Sequence, residues 1–188
     1  MSETRRQQIL DAAYEIVAAE GLEGLHARSV AAAIGVNHAA VHYYYRTRKD
    51  LLLALADSLA ERFRADAAKF LPVDAKPVDR VESSLMQAEA YSRSRSRYIK
   101  VWVSLLVGGI GDPELMAKLR GAHADWVATL TQNLETARAA NNLRGKSPFN
   151  DPELLAATLF GVALLSQIAA DDTIGVRTLD LIAESLMK

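Results

Sequence analysis

Asn37, His38, Ala39 and Ala40 combine two hydrogen-bonding side chains with two very small ones, and His42-Tyr43-Tyr44-Tyr45-Arg46-Thr47-Arg48-Lys49 follows almost at once. Asn and His can donate to, or accept from, base edges and phosphates. Alanines at 39 and 40 allow the backbone that carries them to approach a groove. The tyrosines are aromatic bodies with polar tips, and Arg46, Arg48 and Lys49 are cations that can seek phosphate. The chain's net charge is only −1, but residues 24–49 contain no Asp or Glu and carry Arg28, Arg46, Arg48 and Lys49. That window is +4 and the remainder −5. It also holds His26, His38 and His42, three of the four histidines. The chemistry on offer is contact with a nucleic acid, not bond making.

The elements that must position these residues are two short helices. An Ala-rich helix is expected from about Ala27 to Ile34, ended by Gly35, and a second from His38 to Tyr45. Only Gly35, Val36 and Asn37 separate them, the spacing of a helix-turn-helix. In that motif the second helix enters the major groove with its N-terminal residues on the bases, here Asn37, His38, Ala39 and Ala40. On spacing alone, an ordinary αα-corner with a solvated face fits equally well. The residues after it favour DNA. Thr47, with Asp50 three residues on, caps a fourth helix whose first turn holds Arg48 and Lys49. Cations there oppose the helix dipole, and a phosphate bound at the same helix start reverses the sign. Tyr43 and His42 are expected to face DNA, and one or both of Tyr44 and Tyr45 to be core.

These residues resemble the TetR/AcrR family of bacterial transcriptional regulators. The resemblance rests on Ile9-x-x-Ala12-Ala13, Gly21, Val30-Ala31, Gly35-Val36-Asn37, Val41-His42-Tyr43-Tyr44-Tyr45 and Arg46-Thr47-Arg48-Lys49-Asp50-Leu51, and covers residues 5–52. The chain departs from the usual pattern at Ile34 (Ala), Asn37 (Ser), Tyr45 (Phe) and Arg48 (Lys). His42 stands where a phosphate-contacting Tyr is typical, and His26 where Ser or Thr caps the second helix. The resemblance implies a DNA-binding segment, 1–47, and a ligand-binding and dimerisation segment, 48–188. It further implies a homodimer built on the last two helices, a palindromic double-stranded operator, and a small-molecule effector that shifts the two reading heads through the long fourth helix. The expected DNA-contacting set is Arg28, Asn37, His38, Ala39, Ala40, His42, Tyr43, Arg48 and Lys49.

The rest of the chain is consistent with an all-α architecture of about nine helices. Ala (32) and Leu (25) dominate the 188 residues, and both are strong helix formers. There is no cysteine, which excludes disulfides, thiolate metal sites and a cysteine nucleophile, and fits a cytoplasmic protein. The start of the chain is polar and does not read as a secretory leader. Leu154–Ala170 is uncharged, but it contains Thr158, Ser166 and Gln167 and reads as a helix buried on most sides, not a membrane span. Thr4 and Gln7 suggest a capping box for the first helix, with Gly21 as its stop. Leu52, Leu55, Leu59, Phe63 and Phe70 line one face of the fourth helix up to Pro72, and residues 72–77 read as a hinge. Later helices are expected at about 78–95, 98–107, 113–140, from 152, and 174–187. Asp112-Pro113-Glu114 and Asp151-Pro152-Glu153 repeat one start signal.

His38 and His42 have the spacing of a shared metal ion, but Ala39 follows the first and no third ligand is evident, so no metal or cofactor is expected. Gly108-Gly109-Ile110-Gly111 lacks the lysine of a phosphate loop and reads as a helix connection. The alternating Ser-Arg run from Tyr91 to Tyr98 scatters its arginines over different helix faces. Met86, Tyr91, Tyr98, Trp102, Leu105, His123 and Trp126 form either an effector pocket or ordinary core packing. The expected function is ligand-responsive repression. One rival is a helical interaction module whose helix-turn-helix is structural. The other, a helical enzyme using His123 or His38/His42, lacks a nucleophile with an oriented base, and no enzymatic role is expected.

Overall fold

The computed structural model describes residues 2–93, 96–169 and 173–188. Among them are nine α-helices: α1 (Ser2–Glu20), α2 (Ala27–Ala33), α3 (His38–Tyr44), α4 (Arg48–Lys69), α5 (Pro77–Ser92), α6 (Arg97–Gly109), α7 (Pro113–Ala139), α8 (Pro152–Leu165) and α9 (Thr173–Leu186). The only extended pairing among these residues is an isolated antiparallel bridge between Leu143 and Met187. No described helix is long and apolar enough to cross a membrane.

Local signals account for most boundaries. Gly21 ends α1 with φ 72°, its N–H on the Val17 carbonyl at 2.9 Å. Gly35, at φ 67°, closes α2: its N–H bonds the Ala32 carbonyl at 3.3 Å and Val36 N–H bonds that of Ala31 at 2.9 Å. That crossed pair needs a left-handed residue between its members, which glycine supplies without strain. Thr47 and Asp50 cap α4 reciprocally, at 2.9 and 3.0 Å. Asp112 Oδ1 accepts from Glu114 and Leu115 N–H, and Asp151 Oδ1 from Leu154 N–H.

Three expectations are corrected. Thr4 does not cap α1, because the helix already runs from Ser2, and Gln7 instead donates to Asp11 at 2.8 Å. On α4 the buried stripe runs through Leu51, Leu55 and Leu59, with Leu52, Phe63 and Phe70 only half-buried. Gly108 and Gly109 are the last turn of α6, not a loop, and only Ile110–Asp112 connect it to α7. α8 buries Leu155, Ala156, Leu159, Val162 and Ala163 within its own chain, while Leu154, Leu164 and Leu165 stand open. In the Ser-Arg run, Ser94 and Arg95 lie outside the described residues. Of its other arginines, Arg93 pairs with Glu89 at 2.9 Å and Arg97 with Glu15 at 3.1 Å.

The chain packs as two compact units: residues 1–62 with 97–122, and residues 63–96 with 123–188. These do not coincide with the expected segments 1–47 and 48–188, and α4 contributes to both units. The first unit is built on Ile9, Val17, Leu25, Val30, Val41, Leu51, Leu55, Val101, Leu105 and Leu115, all buried. In it α6 lies so close to the turn after α1 that a side chain at Gly108 would meet Leu22. The second unit has its own core, in which Val81 and Leu85 of α5, Leu130 and Leu134 of α7, Leu155 and Leu159 of α8, and Ile182 and Leu186 of α9 meet.

Candidate nucleic-acid interface

All nine residues of the expected set lie in the first unit. Asn37 is the N-cap of α3, its Oδ1 accepting from Ala39 N–H at 3.0 Å. Asn37, His38, Ala39, His42 and Tyr43 are exposed and Ala40 is half-buried. Tyr43 is 81% exposed while Tyr45 is 5% exposed, so neighbouring aromatics separate into an outward reader and a core anchor. Tyr44 is half-buried, its ring edge-on to Tyr43 at 5.1 Å. Arg6 of α1 stands over the Tyr45 ring at 5.9 Å.

α2 begins at His26, where Ser29 takes the capping role: its hydroxyl oxygen accepts from His26 N–H at 3.1 Å and lies 2.7 Å from the Gly24 carbonyl, to which it donates. His26, Arg28, His38, His42, Thr47 and Arg48 line one open groove of about 440 Å³. No carboxylate lines it. The rings of His38 and His42 meet edge to face with centroids 6.1 Å apart. Among the described residues no group of three or more His, Cys, Asp or Glu could hold a metal ion.

Arg48 and Lys49 are not turned toward one common anion, as the sequence reading expected. The Arg48 guanidinium donates from Nε to the Leu25 carbonyl at 3.0 Å and from Nη2 to that of Leu22, fastening the turn between α1 and α2 to the start of α4. Lys49 Nζ pairs with Glu114 at 2.9 Å and Asp112 at 3.3 Å, at the start of α7. Hydrogen bonding to Glu114, then to Asp112, holds the Lys49 ammonium above the usual lysine range. The Leu115 N–H, and after it Lys49, hold the Asp112 carboxyl below the usual carboxylate range against desolvation. A depressed Asp stabilises above its ordinary pKa and loses that effect as pH falls through the folded value. A raised Lys stabilises below its ordinary pKa and loses it as pH rises through the folded value. Both therefore stay ionised from pH 6 to 8. The sequence carried no signal for these partners, which lie far along the chain.

Replacing Asn37 by Ala removes the side-chain cap of a seven-residue helix. The expected loss is about 1 kcal/mol of stability, read by urea denaturation, with weaker duplex binding beyond what unfolding explains. An unchanged midpoint and unchanged binding would remove Asn37 from both roles.

The residues expected to line an effector pocket divide between the units. Tyr98, Trp102 and Leu105 belong to the first, where Tyr98 and Leu105 are buried. Met86, Tyr91, His123 and Trp126 belong to the second. There Tyr91 and Trp126 both pack on Phe63, with centroids 6.0 and 5.4 Å away. Tyr91 donates to Asp66 at 2.9 Å. His123 lies 3.4 Å from Glu153, and Met86 is half exposed. Phe63 was absent from the expected set because it read only as part of the α4 stripe.

Comparison with known proteins agrees with this surface. Residues 9–55 match the family model of bacterial regulatory proteins, tetR family. The helix-turn-helix segment is therefore of the tetR type. The chain is 32% identical over 101 residues to the HTH-type transcriptional regulator PksA of Bacillus subtilis (strain 168), a match spanning 53% of this chain and about half (49%) of that protein. With the HTH-type transcriptional regulator BetI of Rhizobium meliloti (strain 1021) it shares 23% identity over 156 residues, 83% of this chain and 72% of that one. A transcriptional regulator from Saccharomonospora viridis, solved in complex with choline, has the same fold, with a TM-score of 0.81, 18% identity and full coverage of both chains. All three relatives are transcriptional regulators.

Proposed function

We propose that this chain is a TetR-family, ligand-responsive repressor that binds a double-stranded operator as a homodimer. Residues 1–47 read DNA, and 48–188 bind an effector and dimerise. The carrying observation is α3: a capped helix whose N-terminal Asn37, His38 and Ala39 are exposed, with Tyr43 outward beside a carboxylate-free groove. A corner serving only packing has no need of that set. Leu164 and Leu165 of α8, Ile168 after it, and Val176 and Leu181 of α9 are exposed apolar side chains, which supports a second subunit there. Two subunits present two recognition helices to the halves of a palindrome. The choline complex of the Saccharomonospora viridis regulator supports a small-molecule effector in this chain as well. Such an effector releases DNA only through different affinities for two states. A regulator of this kind works on chromosomal DNA, in the cytoplasm.

The test is fluorescence anisotropy with DNA from immediately upstream of the chain's own gene against a scrambled duplex, at 50 and 200 mM salt. Tighter binding to the upstream duplex is expected, weakening steeply with salt because each phosphate contact contributes about 0.9 to the logarithmic slope. Equal, weak and salt-insensitive binding to both would favour the structural-module reading.

A further inference from the structure

The groove beside α3 holds three histidines, and this inference rests on the DNA-binding reading above while adding a control to it. His42 is the informative one. Its Nδ1 lies 3.3 Å from the Arg46 carbonyl oxygen. A carbonyl only accepts, so in this bond Nδ1 must carry the proton. In the neutral ring Nε2 is then a lone pair, which faces a phosphate oxygen as acceptor against acceptor. Only the imidazolium offers Nε2–H. A tyrosine or threonine hydroxyl would donate to phosphate at any pH near neutrality, whereas an imidazole bonded through Nδ1–H to the Arg46 carbonyl does so only once protonated.

The surroundings reinforce this. His38 meets His42 at 6.1 Å, and His26 shares the groove. The charged groups lining it, Arg28 and Arg48, are cations, and the groove's tyrosine is Tyr45, beneath Arg6 of α1. Arg46 follows on the chain. Asp50 of α4 is engaged by Thr47 N–H, and Lys49 by Asp112 and Glu114 of α7. On the α1–α2 connection Glu23 precedes His26 and is not part of the lining. A DNA phosphate in the groove would face these cations and the imidazoles together. An ordinary imidazole changes charge between pH 5 and 8.

We propose that the groove histidines, His42 foremost, engage backbone phosphate only as imidazolium ions, so that DNA binding takes up protons and tightens as the medium acidifies from pH 8 to pH 6. The sign follows from linkage: a group protonated more readily in the complex strengthens binding as pH falls through its bound-state pKa, and the gain levels off below its free-state value.

The experiment uses the full chain, with the upstream duplex and its scrambled control, at pH 6, 7 and 8 and constant ionic strength. Affinity is expected to rise on the order of tenfold per imidazole whose protonation equilibrium moves by one unit. The salt slope should steepen by about 0.9 for each imidazolium placed on a phosphate. Calorimetry at pH 6.5 in two buffers of different ionisation enthalpy should register proton uptake by the unaltered protein. His42→Gln should flatten the pH profile between pH 6 and 8. Affinity and salt slope that are flat between pH 6 and 8, with no proton uptake, would overturn the proposal while leaving DNA binding intact. An undiminished pH profile in His42→Gln would overturn it too. No binding to either duplex at any pH would instead overturn the DNA-binding reading, and this inference with it.

Discussion

Leu165→Lys should yield monomers by analytical ultracentrifugation and weaken operator binding by about 10²–10⁴-fold, the range lost when two linked contacts become one. Leu165 closes α8 and is 60% exposed, next to Ile168 at 82%. Gly161 of the same helix has nothing of its own chain within reach of a side chain, so another backbone can come close there. Lysine is the apt substitute because a cation near a helix C-terminus favours the helix dipole. The helix should therefore survive and only the association fail, since burying two unpaired ammonium groups at a symmetric contact is costly. A variant that remains dimeric and binds as before would place the second subunit elsewhere.

Leu105→Ala is the second large effect. Leu105 is 0% exposed in α6, and truncating a fully buried leucine costs about 2–5 kcal/mol. Where that loss is felt is the sharper question. The core of the first unit mixes Ile9, Val17, Val30 and Val41 from the first three helices with Val101 and Leu105 of α6 and Leu115 of α7. Amide exchange at α1–α3 should therefore accelerate in this variant along with exchange in α6. A head that folded on residues 1–47 alone would keep its protection, and that result would refute the shared core.

Short-range chemistry made much of this legible in the sequence. Gly21, Gly35, the Thr47/Asp50 pair, and Asp112 and Asp151 before proline act within four residues and end or start helices where expected. The outward Tyr43 and inward Tyr45 follow from helix geometry at the end of α3. Long-range pairing was not legible. Arg48 read as a phosphate ligand because nothing near it in sequence identifies the carbonyls of Leu22 and Leu25 as its partners. Lys49 looked free for the same reason. The α4 stripe slipped by one residue, to Leu51, because Leu51, Leu52 and Leu53 are equally apolar and only the surrounding helices select the face.

The interleaving of the two units also sets an order of events during synthesis. The first unit needs residues 97–122, which leave the ribosome only after 63–96. At typical elongation rates, residues 63–122 take about 3–12 s to add once the first 62 exist. For that interval the reading helix can form, but the apolar surface awaiting α6 lies bare. The first unit thus completes its core only after residues 97–122 have been made.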